Sequence, residues 1–381
     1  MNFLKNIRTA LFDEFKAIFR DEGVLLVVVF AAMIYAMIYS SIYGAEVLRD
    51  VPIALIDQSQ SPSSRRLKMQ FDAAPNIYVA YELSDMEQAK RLFIARKIYG
   101  IVFLPHDFET RLLNYEQSPV ALYADASYFL VYRQVFQQIS TLLGIAGAKV
   151  EAVRLSLEGT DPSQISGQVQ PVACVLHNLF NPQMGYGHFV LPAVFLVIIQ
   201  QTLLIGLGIV EATRRQRGTR PSTNPFATLL GRSLAYGTIY AVSSSLIFGF
   251  LYKLLGLEDQ ASTGAVILMM TLYICAVIQF GSCTALFFRR REQPLLFLVW
   301  CSIPMLMISG ISYPKEGIPK ALFWLGQLLP STQGINALIR LRSMGASLRD
   351  VAPQLTALCA MIVGYGGLAW WWNRKKARNL S

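Results

Sequence analysis

Six stretches of mostly apolar residues divide the chain, over residues 24–43, 186–210, 229–252, 264–288, 295–312 and 355–372. A helix rising ~1.5 Å per residue needs about 20 such residues to cross a hydrocarbon core ~30 Å thick. The pattern therefore predicts six membrane spans. Before the first span, Leu4, Ile7, Leu11, Phe15 and Ile18 recur at helical spacing, with Lys5, Arg8, Lys16 and Arg20 between them. That alternation predicts an amphipathic helix over 1–22, lying at a membrane interface. The first apolar run is too long for a signal-peptide core, so 23–44 reads as an uncleaved span.

A different rhythm fills residues 45–184, roughly the length of one domain. "VPIALID", "IYVAYEL", "IYGIVFLP" and "PVALYAD" read as strands, with "VACVLHNLF" as a further strand. Between them, "SPSSRRLKMQF" offers Ser61 as an N-cap and Pro62 at the first helical position. "SDMEQAKRLFIARK" carries a capping box from Ser84 to Glu87, and its acids precede its bases as the helix dipole prefers. "DFETRLLNYE" is a short helix. A long one follows over about 128–157 and is broken by "DPSQISGQVQP". Strands alternating with helices predict a compact α/β domain between spans one and two. Residues 185–381 then hold spans two to six.

Composition agrees with a membrane protein. Hydrophobic residues make up 54% and charged residues 15%, and mean hydropathy is +0.41; soluble domains carry about 25% charge. The net charge of +10 does not imply nucleic acid, because the bases sit beside apolar runs and orient the spans instead. Lys5, Arg8, Lys16 and Arg20 fall on one side with Arg214, Arg215, Arg217 and Arg220. Arg289, Arg290, Arg291, Arg374, Lys375, Lys376 and Arg378 fall there too, which places both termini in the cytoplasm. The exception is the segment after span five, with Lys315, Lys320, Arg340, Arg342 and Arg349, which this topology puts outside.

Candidate chemistry is sparse. The cysteines and histidines are too scattered for a metal site, and no P-loop, GxSxG or HExxH is present. Asp57, Asp107 and Asp125 stand at strand ends and read as turn and cap residues. Residues 313–341 cannot be a plain loop. "ALFWLGQLL" is apolar but too short to span, and Pro314, Pro319 and Pro330 break helices, so two short re-entrant helices fit. Gln200, Gln201, Gln279 and Ser243–Ser245 are polar residues within spans, suited to hydrogen bonds between helices or to a pathway. No Asp, Glu or Lys stands mid-span, as an ion-driven carrier would need.

Four local patterns then resemble one family, the ABC-2 type permeases, which are the membrane half of ATP-binding cassette exporters. They are "VPIALIDQSQSPSSRRL", "YGIVFLPHDFETRLL", "EATRRQRGT" and "ISGISYPKEGIPKALFWLGQLLPSTQGINALIRL". The resemblance implies an α-helical polytopic membrane protein, six transmembrane helices with an α/β extracytoplasmic domain between helices 1 and 2. It implies no cofactor on this chain, ATP and Mg being handled by a separate cytoplasmic ABC ATPase. It implies a second permease, identical or paralogous, and efflux of drugs or other amphipathic molecules across a bacterial inner membrane. A periplasmic adaptor and an outer-membrane channel are further implied partners, beside membrane lipid. The family's coupling loop corresponds to 211–228, with Glu211, Arg214, Arg215, Arg217, Gly218 and Thr219, seconded by Arg290 and Glu292. Gln200, Gln201, Gln279, Phe297, Trp300 and Met305 are pathway or dimer-seam candidates. A channel or secondary transporter, and a non-transporting mechanotransmitter or receptor, are the alternative readings.

Overall fold

The computed structural model describes residues 2–44, 48–170, 177, 179–182, 184–218 and 224–378. Two compact units emerge, one from Val47–His177 and the other from Met1–Glu46 with Asn178–Ser381.

The helical unit opens with α1 (Asn2–Arg20) and α2 (Glu22–Tyr43). The inserted unit then contributes β1 (Val51–Asp57), α3 (Pro62–Asp72), β2 (Ile77–Leu83), α4 (Met86–Ile94) and β3 (Gly100–Leu104). It continues with α5 (Phe108–Leu113), β4 (Ala121–Ala124), α6 (Phe129–Leu157) and α7 (Pro162–Val169). Strand order is β2-β1-β3-β4. β1 runs parallel to both neighbours, and β4 returns antiparallel to β3. β1 is buried on both faces, which explains its unbroken apolar run. Ile53 and Leu55 meet Leu67, Phe71, Val135 and Ile139 on one side. Ala54 and Ile56 meet Ala89, Ile98 and Ile101 on the other. Ser61 caps α3 as expected, in a box with Ser64. The cap of α4 is Asp85 rather than Ser84, because the Asp85 carboxylate accepts the Glu87 N–H at 3.1 Å. The breaking segment after α6 holds the short helix α7, with Pro162 in its first turn. The strand expected over 172–180 falls mostly on residues outside those described.

The helical unit resumes with α8 (Tyr186–Gln216), α9 (Pro225–Leu254) and α10 (Thr263–Phe287). α11 (Gln293–Ile308), α12 (Lys320–Gln327), α13 (Pro330–Arg342) and α14 (Ala352–Arg378) complete it. Among the described residues, five helices are long and apolar enough to cross a membrane: α2, α8, α9, α10 and α14. The remaining expected span is α11, whose 16 residues reach only about 24 Å. It stops before the apolar run does, because Gly310 adopts a left-handed φ of +83° just beyond it.

α8 is the centre of this unit, buried on nearly every side from Leu191 to Val210. Its glycines admit the neighbours: a Cβ at Gly206 would run into Val28 of α2, and one at Gly208 would meet Pro294 of α11 at 2.6 Å. The polar residues within α8 and α10 bond across helices. Gln200 is fully buried; its Oε1 accepts the Ser331 N–H at 2.9 Å, and its Nε2 donates to Ser331 Oγ at 3.2 Å. It therefore caps α13, whose first position is Pro330. Gln200→Leu is expected to leave both Ser331 groups buried and unpaired, costing about 1–3 kcal/mol. Thermal unfolding in detergent measures this, and a wild-type midpoint would dismiss the cap.

A second tie fixes the far end of α13. Arg342 grips Asp259 with two bonds, at 3.0 and 2.7 Å, and lies 4.0 Å over the Tyr252 ring. Its Nη2 also donates to the Phe248 carbonyl at 2.9 Å. That carbonyl belongs to a π-helical turn over Leu246–Leu251, where the widened ladder exposes main-chain acceptors.

A candidate coupling site of buried charge

The stretch Glu211–Pro221 holds most of the expected coupling residues. Helix α8 runs on through Gln216, so Glu211, Arg214 and Arg215 occupy its final turns rather than the connection. No Gly or Pro intervenes before Gly218, and arginines suit a helix C-terminus. Their side chains turn inward. Arg214 Nη1 pairs with Glu14 at 2.7 Å and with Glu211 at 3.2 Å. Arg232, one helix on in α9, pairs with Glu14 at 3.2 Å and with Glu211. A third bond runs from Arg232 Nη1 to Ser282 Oγ of α10 at 3.4 Å. Four helices thus meet at one neutral knot of two glutamates and two arginines.

Glu14 is only 1% exposed and Arg232 5%. The sequence pattern missed both. In α1 the packed face holds Ala10, Glu14 and Ile18, whereas Leu4 of the expected stripe is exposed. The signal was present: Glu14 lies seven residues after Ile7 and four before Ile18, within the apolar stripe rather than opposite it. Close backbone approach sets this rotation. A Cβ at Gly231 of α9 would meet the Ala10 Cβ at 2.6 Å and the Leu11 nitrogen at 2.8 Å.

Two further ties surround the knot. Arg215 Nη1 donates to the carbonyls of Leu286 and Phe288, at 2.6 and 2.8 Å, and so holds the end of α10. Arg291 pairs with Asp21 at 2.6 Å, and the same Asp21 oxygen caps α2 through the Val24 N–H. The link from α10 to α11 is thereby fastened to the corner between α1 and α2. Arg217, Gly218, Arg290 and Glu292 remain exposed at this end, Gly218 with a φ of +65°. Thr219 and Arg220 lie outside the described residues.

The other candidates are spread out. Gln201 Nε2 approaches Met305 Sδ at 3.7 Å, joining α8 to α11. Gln279 donates to Ser233 Oγ at 2.8 Å, joining α10 to α9. Phe297 packs against Phe288, and Trp300 is exposed. These residues do not converge on one site.

In the inserted unit, the strand-end acids serve local structure. Asp57 accepts the N–H groups of Ser59 and Gln60 and the Ser64 hydroxyl. Arg111 holds the Asp107 carboxyl below its usual pKa through a 2.5 Å bond, and the Ser127 hydroxyl does the same for Asp125. Among the described residues, no group of three or more His, Cys, Asp or Glu is placed to hold a metal ion.

Long apolar helices around a buried α8, interrupted by an α/β unit, define a multi-pass helical membrane protein with a buried knot of charge at one end of the bundle. The chain belongs to the ABC-2 family of transporter proteins, whose family model matches residues 23–371. It is 23% identical over 375 residues to the inner membrane transport permease YhhJ of Escherichia coli K12, covering 95% of each chain. To the probable multidrug ABC transporter permease YbhR of the same organism it is 19% identical, covering 97% of this chain and 98% of that one. The linearmycin resistance permease protein LnrN of Bacillus subtilis is 20% identical over 347 residues, with 84% and 85% covered. No solved structure matches. The protein is a membrane permease subunit of an ABC-type transporter system, and its family implies an ATPase and a paired permease in the assembly.

Proposed function

We propose that this permease exports drugs or other amphipathic small molecules across a bacterial inner membrane, driven by ATP that a separate subunit hydrolyses. The names of YbhR and LnrN favour such substrates. Both termini and the charge knot face the cytoplasm, as the clustering of Lys and Arg favours. The inserted α/β unit is periplasmic.

The observation that carries this reading is the knot itself. The family's coupling stretch is fused, through Glu211 and Arg214, to α1 and α9, and through Arg232 to α10. Force applied to the connection after Gln216 reaches four helices at once. Two jobs are therefore divided along one stretch. Arg217 and Gly218, with Arg290 and Glu292, form the docking surface for the ATPase. Glu211, Arg214 and Arg215 hold the lever to the spans. Polar connections that meet a charged partner choose it by complementarity more than by affinity.

Co-purification tests the division. Arg217→Glu with Arg290→Glu is expected to lose the ATPase subunit while the permease still inserts and unfolds at the wild-type temperature. Retention of the ATPase by that double variant would reject the docking surface.

A further inference from the structure

At the opposite end of the bundle, α11 leads into a segment whose charge orientation does not explain. Lys315, Lys320, Arg340, Arg342 and Arg349 crowd the side that otherwise carries few bases. Arg342 is consumed by Asp259. Among the described residues, the other four have no carboxylate within ion-pair distance. Glu316 lies beside Lys315 and Asp350 beside Arg340, but Asp350 already accepts the Ser347 N–H and hydroxyl, at 2.8 and 2.7 Å. Among the described residues, Lys315 Nζ donates only to the neutral Asn336 Oδ1, at 2.5 Å. Burial pushes the Lys315 ammonium's pKa down; Glu316 opposes that, and the like charge of Arg340 adds to it. Arg340 follows Asn336 by four residues on the same face of α13, so the Asn336 bond brings Lys315 beside a second cation, and like charges gathered so favour an anion.

The residues around them are apolar and uncovered. α12 exposes Leu322, Trp324 and Leu325, with Trp324 68% exposed, Leu328 is exposed just past its end, and Tyr313 stands exposed shortly before Lys315. Its one buried face is Gly326, where a Cβ would run into Ile308 of α11. An exposed aromatic and aliphatic surface edged by lysines is the chemistry of a membrane interface, where Trp and Tyr sit at headgroup depth and cations reach the phosphates. A free phosphate would gain nothing from Trp324 or Leu328, and a folded acidic protein would cover them only by leaving the bilayer surface.

We propose that Lys315, Lys320 and Arg340 hold the phosphate of an anionic glycerophospholipid whose acyl chains lie along Trp324, Leu325 and Leu328. The bound lipid supplies negative charge to cations that Glu316 and Asp350 flank without an ion pair. It also seals the short α11–α12 corner, where a helix of about 24 Å falls short of the bilayer thickness.

Native mass spectrometry of the purified full-length chain, titrated with dioleoylphosphatidylglycerol or dioleoylphosphatidylcholine, tests this. The wild type is expected to retain phosphatidylglycerol preferentially. Lys315→Gln, Lys320→Gln and Arg340→Gln together should weaken its retention more than tenfold, since each cation near a headgroup contributes about fivefold. Phosphatidylcholine retention should stay unchanged. Lys320 is exposed and makes no side-chain bond among the described residues, so Lys320→Glu alone should lower the same preference if the triple variant unfolds. Lys149→Gln in the inserted unit should leave the preference intact. Three results would overturn the proposal: wild-type preference in both the triple and Lys320→Glu variants; displacement of the lipid by excess inorganic phosphate, which marks a free-anion site; and cations that govern capture of an acidic protein while lipid preference stays fixed.

Discussion

Glu14→Ala is expected to destabilise the protein by about 3–5 kcal/mol and to free α1 from the bundle. The glutamate accepts from Arg214 at 2.7 Å and from Arg232 at 3.2 Å, and it is almost wholly buried. Without it, Glu211 is left to balance two arginines, and Arg232 has little water to turn to. The size of the effect comes from an uncompensated buried charge rather than from the worth of the pair. The control follows: Glu14→Ala with Arg232→Met removes both signs and should recover much of the loss. Thermal unfolding in detergent reads the stability, and tryptic cleavage at Lys5, Arg8 and Lys16 reads the release of α1. A double variant as unstable as Glu14→Ala alone would mean the knot acts through packing only.

Arg342→Ala is expected to cost a similar amount, about 3–5 kcal/mol, at the other end of the same unit. It strips Asp259 of both its bonds, the Phe248 carbonyl of its donor, and Tyr252 of the cation above its ring. Arg342→Lys should recover only part of this, because an ammonium cannot make the forked bond to a carboxylate while reaching a third acceptor. Asp259→Asn should cost less than Arg342→Ala, since the arginine keeps the Phe248 carbonyl and the amide oxygen. Equal unfolding temperatures for Arg342→Lys and the wild type would contradict the geometry.

Much of the architecture was legible along the chain, because spans and buried strands announce themselves locally. Five apolar runs became long helices, and β1 showed its central place by lacking any polar alternation. The end of α11 was not legible, because hydropathy does not register where a left-handed glycine ends a helix. Sheet order was not readable, since it depends on which strand each crossover returns to. The stretch from Glu211 stood out by its pattern, but the burial of its side chains did not: an arginine on a helix end looks solvent-facing until its partner is known. Arg214 finds that partner in Glu14, and Arg232 finds the same one from a third helix. A glutamate on the apolar stripe of α1 signals that some buried cation exists; only the fold says which. Arg342 and Asp259 pose the same problem, being charges of opposite sign in separate polar stretches with nothing local to pair them.

The most direct test of the central claim uses Glu14→Gln, which keeps the side chain's shape and removes its charge. Inverted membrane vesicles carrying the permease and its ATPase would be assayed for ATP-driven uptake of a fluorescent amphipathic dye, with ATPase association measured on the same sample. If the knot transmits motion, the ATPase stays bound and uptake per ATP falls by roughly 2- to 30-fold, the range that 0.5–2 kcal/mol of lost coupling spans. Wild-type uptake per ATP in that variant would contradict it.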